Sequence, residues 1–146
     1  MSHVRQQIRA AVVARLTGLA TTGTRVSASR VHPVARGAGP TLAVYTLDEE
    51  SERMSIGADP EMDRTLTLGV EVLVQSAEFD DQMDDVCAEV EARLGGWRPG
   101  DPKVRELVLV STEIQPHGEG EVTAGSCVMG WQTGYVTLAS DPTISL

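Results

Sequence analysis

The sequence predicts an α+β domain: a mostly antiparallel mixed sheet with two helices packed on one face. Three stretches carry that prediction. Residues 3–18 repeat apolar side chains at helical spacing, with Val4, Ile8, Val12 and Leu16 on one stripe. Residues 64–75, RTLTLGVEVLVQ, alternate as a half-buried strand does. Residues 79–94 return to helical spacing, with Phe79, Met83, Val86, Cys87, Val90 and Leu94 on the apolar side. Two such helices can cover one face of a sheet.

Each element follows from its own residues. In the first helix Ala11 lies beside the stripe, while Arg5 and Arg9 lie off it, open to water or a partner. Gly18 is its expected stop. Residues 25–31, RVSASRV, alternate like a strand, and HPVARGAGP (32–40) is a Pro- and Gly-rich loop. TLAVYTL (41–47) is a second strand that runs directly into Asp48, Glu49, Glu50 and Glu52. That acidic run and RMSIGADPEMDR form an excursion, read as a solvated loop, a subunit-contact loop or an extended hairpin. In 64–75, Leu66, Leu68, Val70, Val72 and Val74 share one face, and Leu73 interrupts the polar face.

The second helix opens with Asp80, Asp81, Asp84 and Asp85, where carboxylates suit the positive end of a helix dipole. Gly95 and Gly96 end it, and GGWRPGDP is a loop. VRELVLVSTEIQ (104–115) is apolar on both faces in its middle, which predicts a central strand. PHGEGE turns the chain, VTAGSCVMGWQTGYVTL (122–138) returns as a long strand, and ASDPTISL is a tail. The organisation is a single domain over 1–138 with a C-terminal tail over 139–146, the tail expected either to stay disordered or to dock on a neighbour.

Length and composition narrow the function. At 146 residues the chain can bury a true core without staples. Aromatics are 3% of residues, too few for a base-stacking surface. The net charge of −9 opposes tight binding to phosphate backbones. That charge is unevenly spread. Residues 1–47 hold six arginines and no acid, so the remainder carries −15. Such polarity suits either a two-sided surface or copies that meet head to tail. Cys87 and Cys127 form no CxxC pair and are expected to be free core thiols. The start, VRQQIRAAVVARLTGLA, is interrupted by Arg15 and amphipathic, which favours a mature helix over a signal peptide. No 18-residue apolar run spans a membrane.

Chemistry-bearing motifs are sparse. His3, His32 and His117 lack neighbours at metal-ligand spacing. There is no GxSxG elbow and no phosphate loop, and no cofactor is expected. The four aspartates at the second helix start lie in like-charged pairs four residues apart, which suits a solvated face better than a metal site. For Asp48, Glu49, Glu50 and Glu52 no local histidine or apolar pocket supplies a pKa shift. Arg53 and Arg64 are their candidate partners, within or between subunits.

VRQQIRAAVVARLTGLATTGTRV, SRVHP, LAVYTLDEESE and RTLTLGVEVLVQ, ahead of an acidic helix, together resemble the tail terminator family of tailed bacteriophages. This is the minor tail protein U type, found also in prophages and gene transfer agents. The resemblance covers about residues 3–138, and its most specific pieces are LTGLATTG and VYTLDEESE. GADPEMD, GGWRPGDP and the tail after Leu138 depart from the family pattern.

The resemblance implies a non-enzymatic virion subunit that forms a homo-hexameric ring. The ring would cap the tail tube protein at the neck end of the tail, stop polymerisation and meet the head–tail connector or stopper protein. DNA would pass through the lumen without sequence-specific binding. Assembly would occur in the host cytoplasm, with no membrane involved. Arg5, Arg9 or Arg15 of one subunit would approach an acidic patch on the next, and the LDEESER segment, residues 47–53, would be a ring or lumen element. Two other classes stay open: another head–tail joining or tail completion protein, and a small metal- or ligand-binding domain.

Overall fold

A computed structural model describes residues 2–28, 39–76, 78–117 and 124–146. Its elements are α1 (Val4–Leu16), β1 (Val26–Ser27), β2 (Thr41–Arg53), β3 (Glu61–Gln75), α2 (Phe79–Leu94), β4 (Val108–His117) and β5 (Ala124–Leu138). The five strands form one sheet in the order β1-β2-β3-β5-β4. β1 runs parallel to β2, and every other pairing is antiparallel. This is the α+β fold that the periodicities predict. The rest of the stretch expected as a strand over 25–31, most of the loop 32–40, and the tip of the turn after His117 lie outside the described residues.

The helices form because burial rewards them. An isolated helix of α1's length is marginal in water. Here Val4, Ile8, Val12 and Leu16 are all fully buried, and each contributes roughly 1.5–3 kcal/mol. They join Met83, Val86, Val90 and Leu94 of α2 in one core against Leu66, Leu68, Val70 and Val72 of β3. Both helices therefore cover the same sheet face. The opposite face carries no helix and is called the open face below.

The C-terminal ends of the helices are clasped together. Arg15 Nε donates to the carbonyl of Arg93 at 3.0 Å, and Arg93 Nη1 donates to the carbonyl of Arg15 at 3.1 Å. Each guanidinium thus caps carbonyls at the negative end of the other helix's dipole. Arg15 also lies over the Trp97 ring, 5.3 Å from its centroid.

Two expectations need correction. Of the readings open for the acidic stretch Asp48–Glu52, the loop fails and the extended hairpin holds: β2 continues to Arg53 and pairs with β3 back to Met62. The true turn is 54–60, where Arg53 holds the carbonyls of Ser55 and Gly57. The second correction concerns β4, which is an edge strand rather than a central one. Leu107 is buried and Leu109 packs on the core, but Val108, Val110 and Ile114 are about half exposed. Apolar residues on both faces arise there from an open border, not from double cover.

The last residues fold back on their own chain. Val4 N donates to Pro142 O at 2.9 Å, Gln7 Nε2 to Thr143 O at 2.9 Å, and Leu146 N to Val136 O at 2.8 Å. Ser140 N bonds Asp59 at the hairpin turn.

Candidate functional site

The bulge at Leu47 sorts the acids of β2. Register runs Thr46↔Leu68 and then Asp48↔Thr67, with Leu47 left unpaired. One extra residue exchanges the faces of everything after it. Thr46 lies on the helix side with Leu68. Beyond the bulge Glu49, opposite Leu66, takes that side, while Asp48, Glu50 and Glu52 point to the open face.

Glu49 becomes the hub of a buried charge cluster. Its side chain is only 7% exposed. Oε1 accepts from Arg5 Nη1 and from Arg64 Nη1, each at 3.1 Å, and Oε2 accepts from the Tyr135 hydroxyl at 2.5 Å. Arg64 Nε also donates to Thr137 Oγ1 at 3.0 Å. One carboxylate thus ties α1, β2, β3 and β5 together. Burial, and then the hydrogen bond to Glu49, push the Tyr135 phenol above its ordinary pKa. His3 sits at the rim as the N-cap of α1, its Nδ1 accepting from Arg5 N at 3.2 Å. Burial, and then the Arg5 charge, lower the His3 pKa.

Arg9, one turn after Arg5, reaches Thr46 Oγ1 at 3.1 Å. Arg5, Arg9 and Arg15 therefore all spend hydrogen bonds within the subunit. Their stems lie half-buried along the helix flanks with their heads turned inward, as long cationic side chains do when an acceptor is near.

The open face carries the remaining acids. Glu50 pairs in register with Thr65 and Glu52 with Asp63. These residues and Ser51 line a shallow, open depression. Asp48, Glu50 and Glu52 are exposed. Among the described residues no three His, Cys, Asp or Glu side chains gather closely enough to hold a metal ion. Asp80, Asp81, Asp84 and Asp85 are all exposed on α2. Nor does any described helix have the length and apolarity to cross a membrane.

No family model matches the chain, and no curated protein matches it. Among solved structures, the chain is similar to one in the virion of a native gene transfer agent (GTA) particle. The identity is 18% and the TM-score 0.47, over 90% of this chain and 92% of that one.

Sequence reasoning grouped Asp48, Glu49, Glu50 and Glu52 as one feature, whereas the fold separates Glu49 from the others. It also missed Tyr135 and His3 as members of the cluster. Tyr135 meets Glu49 only because β5 pairs with β3 over its whole length, which sets Tyr135 opposite Arg64. The His3 cap had a visible signal, a polar residue immediately before the apolar stripe. The cations of the far border, Lys103 and Arg105, were missed as well. Arg105 donates to Asp63 at 2.5 Å on the open face.

Proposed function

We propose that this chain is a ring-forming structural subunit of a phage-type particle, acting as the tail terminator. The ring caps the tail tube, stops its polymerisation and presents its other side to the head–tail connector or stopper protein. DNA traverses the lumen, and the subunit performs no catalysis. The particle site is the neck end of the tail, reached after assembly in the host cytoplasm.

The observation that carries this reading is a sheet with two unlike borders. β4 ends it on one side, and among the described residues no strand pairs with the outer side of β2 beyond Ala43. A subunit with two unlike borders is suited to heterologous, head-to-tail contact, which closes into a ring when the rotation allows. The acids of the open face suit a lumen through which DNA slides, because favourable phosphate contacts need cations. The resemblance in LTGLATTG and VYTLDEESE supports the same reading.

Light scattering of the purified protein with and without polymerised tail tubes, joined to electron microscopy of tube ends, tests it. A ring at the tube tip is the expected result, whether the free protein is a monomer or not. A protein that ignores tubes and binds isolated connectors would instead be a head–tail joining protein. One that ignores both would end the structural reading.

A further inference from the structure

Two thiols meet beneath α2, away from the charge cluster and from both sheet borders. Cys87 Sγ lies 3.8 Å from Cys127 Sγ, with Cys87 donating and Cys127 accepting. The meeting is fixed from both sides. Cys87 stands one turn after Met83 on the buried stripe of α2. Cys127 lies in β5 between Val72 of β3 and Ile114 of β4. Each sulfur is carried by a different layer, so the pair spans the helix–sheet interface.

The surroundings leave the thiols to each other. Among the described residues no three His, Cys, Asp or Glu side chains gather to hold a metal ion. Asp84 and Glu91, three before and four after Cys87, share its flank of the helix, and their negative charges act on both sulfurs. Cys127 is fully buried, whereas Cys87 keeps 8% of its surface exposed. That opening excludes a bulky or anionic reagent but suits a neutral molecule scarcely larger than water.

We infer that Cys87 and Cys127 are a two-electron oxidation site: a hydroperoxide converts them to a disulfide that staples α2 to the sheet. Cys87 Sγ attacks one peroxide oxygen and the O–O bond breaks. The departing hydroxide takes the thiol proton and leaves as water, and Cys87 becomes a sulfenic acid. Cys127 Sγ then attacks the Cys87 sulfur. The S–S bond forms, the S–O bond breaks, and the second hydroxide leaves as water with the Cys127 proton. Two thiols lose two electrons, and one hydrogen peroxide becomes two waters. Cys127 suits the second step, because the hydrogen bond that it accepts lowers its pKa. Closing the gap from 3.8 Å to the roughly 2.05 Å of a disulfide moves each sulfur by about 0.9 Å, which turning about χ1 supplies. The staple would join residues 40 apart in the chain and so restrict the unfolded state. This site is independent of the ring reading.

The purified full chain, treated with dilute hydrogen peroxide in native buffer, tests the inference. Peptide mapping without reductant keeps methionine oxidation apart. It is expected to show the Cys87 and Cys127 peptides joined, two hydrogens lighter than the separate pair and split by dithiothreitol. The thiols counted after denaturation fall from two to none, and the non-reducing gel stays monomeric. Tm is expected to rise by roughly 5–15 °C and to return on reduction. Cys87→Ala and Cys127→Ala, each compared with its own untreated sample, are expected to show no such rise.

An unchanged thiol count, sulfinic acid or linked dimers in place of the internal link, or a link that forms only once urea unfolds the chain, overturns the inference. A link that leaves Tm unchanged overturns the staple. Each of these outcomes leaves the terminator reading intact.

Discussion

Tyr135 donates its hydroxyl to Glu49 over 2.5 Å, and this bond joins β5 to β2 across the width of β3. The Glu49 side chain is only 7% exposed, and its other oxygen is shared by Arg5 and Arg64. Removing one member of a buried ion pair leaves an uncompensated charge, at a cost of about 3–5 kcal/mol. Glu49→Ala is therefore expected to lower the urea midpoint by that equivalent, because Arg64 is itself only 13% exposed. Glu50→Ala, one residue away on the open face, is expected to stay within about 0.5 kcal/mol of wild type. Equal effects of the two substitutions would contradict the sorting of these acids by the bulge.

His3 predicts a pH dependence. Its Nδ1 accepts the Arg5 amide, and a protonated imidazole has no acceptor. Burial and the Arg5 charge set its folded pKa below the unfolded value. The unfolded chain therefore binds the proton first. The His3 contribution is complete above the unfolded pKa, near 6.5, and is lost as pH falls through the lowered folded pKa. Thermal melts between pH 8 and pH 5 are expected to show a smaller acid-side decline in His3→Asn, since Asn caps without titrating.

Much of this architecture was legible, and the illegible parts have physical causes. α2 runs over Phe79–Leu94 as its periodicity and the Gly95-Gly96 stop require. β3 shows its alternation because only one of its faces meets the helices. In the run Asp48–Glu52 the sequence does not separate loop from extended hairpin, because acids are poor strand formers in isolation. In the fold the run is held by pairing with β3, and Glu49 by its three donors. The Leu47 bulge leaves no mark in the sequence, yet it decides which acid is buried. The borders were invisible for a similar reason: residue type cannot say which strand lacks a neighbour.

Gly69 reports on the open face. Tyr45 and Leu47 lie across it, so that a Cβ placed there would come 2.8 Å from Tyr45 Cε2 and 3.1 Å from Leu47 Cγ. Tyr45 is held by its hydroxyl bond to Glu71 at 2.8 Å. Gly69→Ala is expected to cost about 1–3 kcal/mol through overpacking. The same change at Gly100, where a Cβ meets nothing within 4 Å, is expected to stay within about 0.5 kcal/mol. Denaturation midpoints of the two variants separate these outcomes.

Cys87 and Cys127 face each other with their sulfurs 3.8 Å apart, both buried and both reduced. The sequence placed them in the core but gave no sign that they touch. Register explains the meeting: Cys127 sits opposite Val72 on the helix side of the sheet, directly under α2. The hydrogen bond to Cys127, and then burial, push the Cys87 thiol above its ordinary pKa. Cys127 accepts that hydrogen bond, which lowers its own pKa, so what shields both thiols from disulfide reagents is their burial under α2. Native protein at pH 8 is therefore expected to leave both thiols unlabelled by an aromatic disulfide reagent. Both react once urea unfolds the chain, at a rate that follows global opening rather than local motion. Rapid labelling of either thiol in the native state would mean that α2 lifts from the sheet far more readily than its packing against β3 and β5 implies.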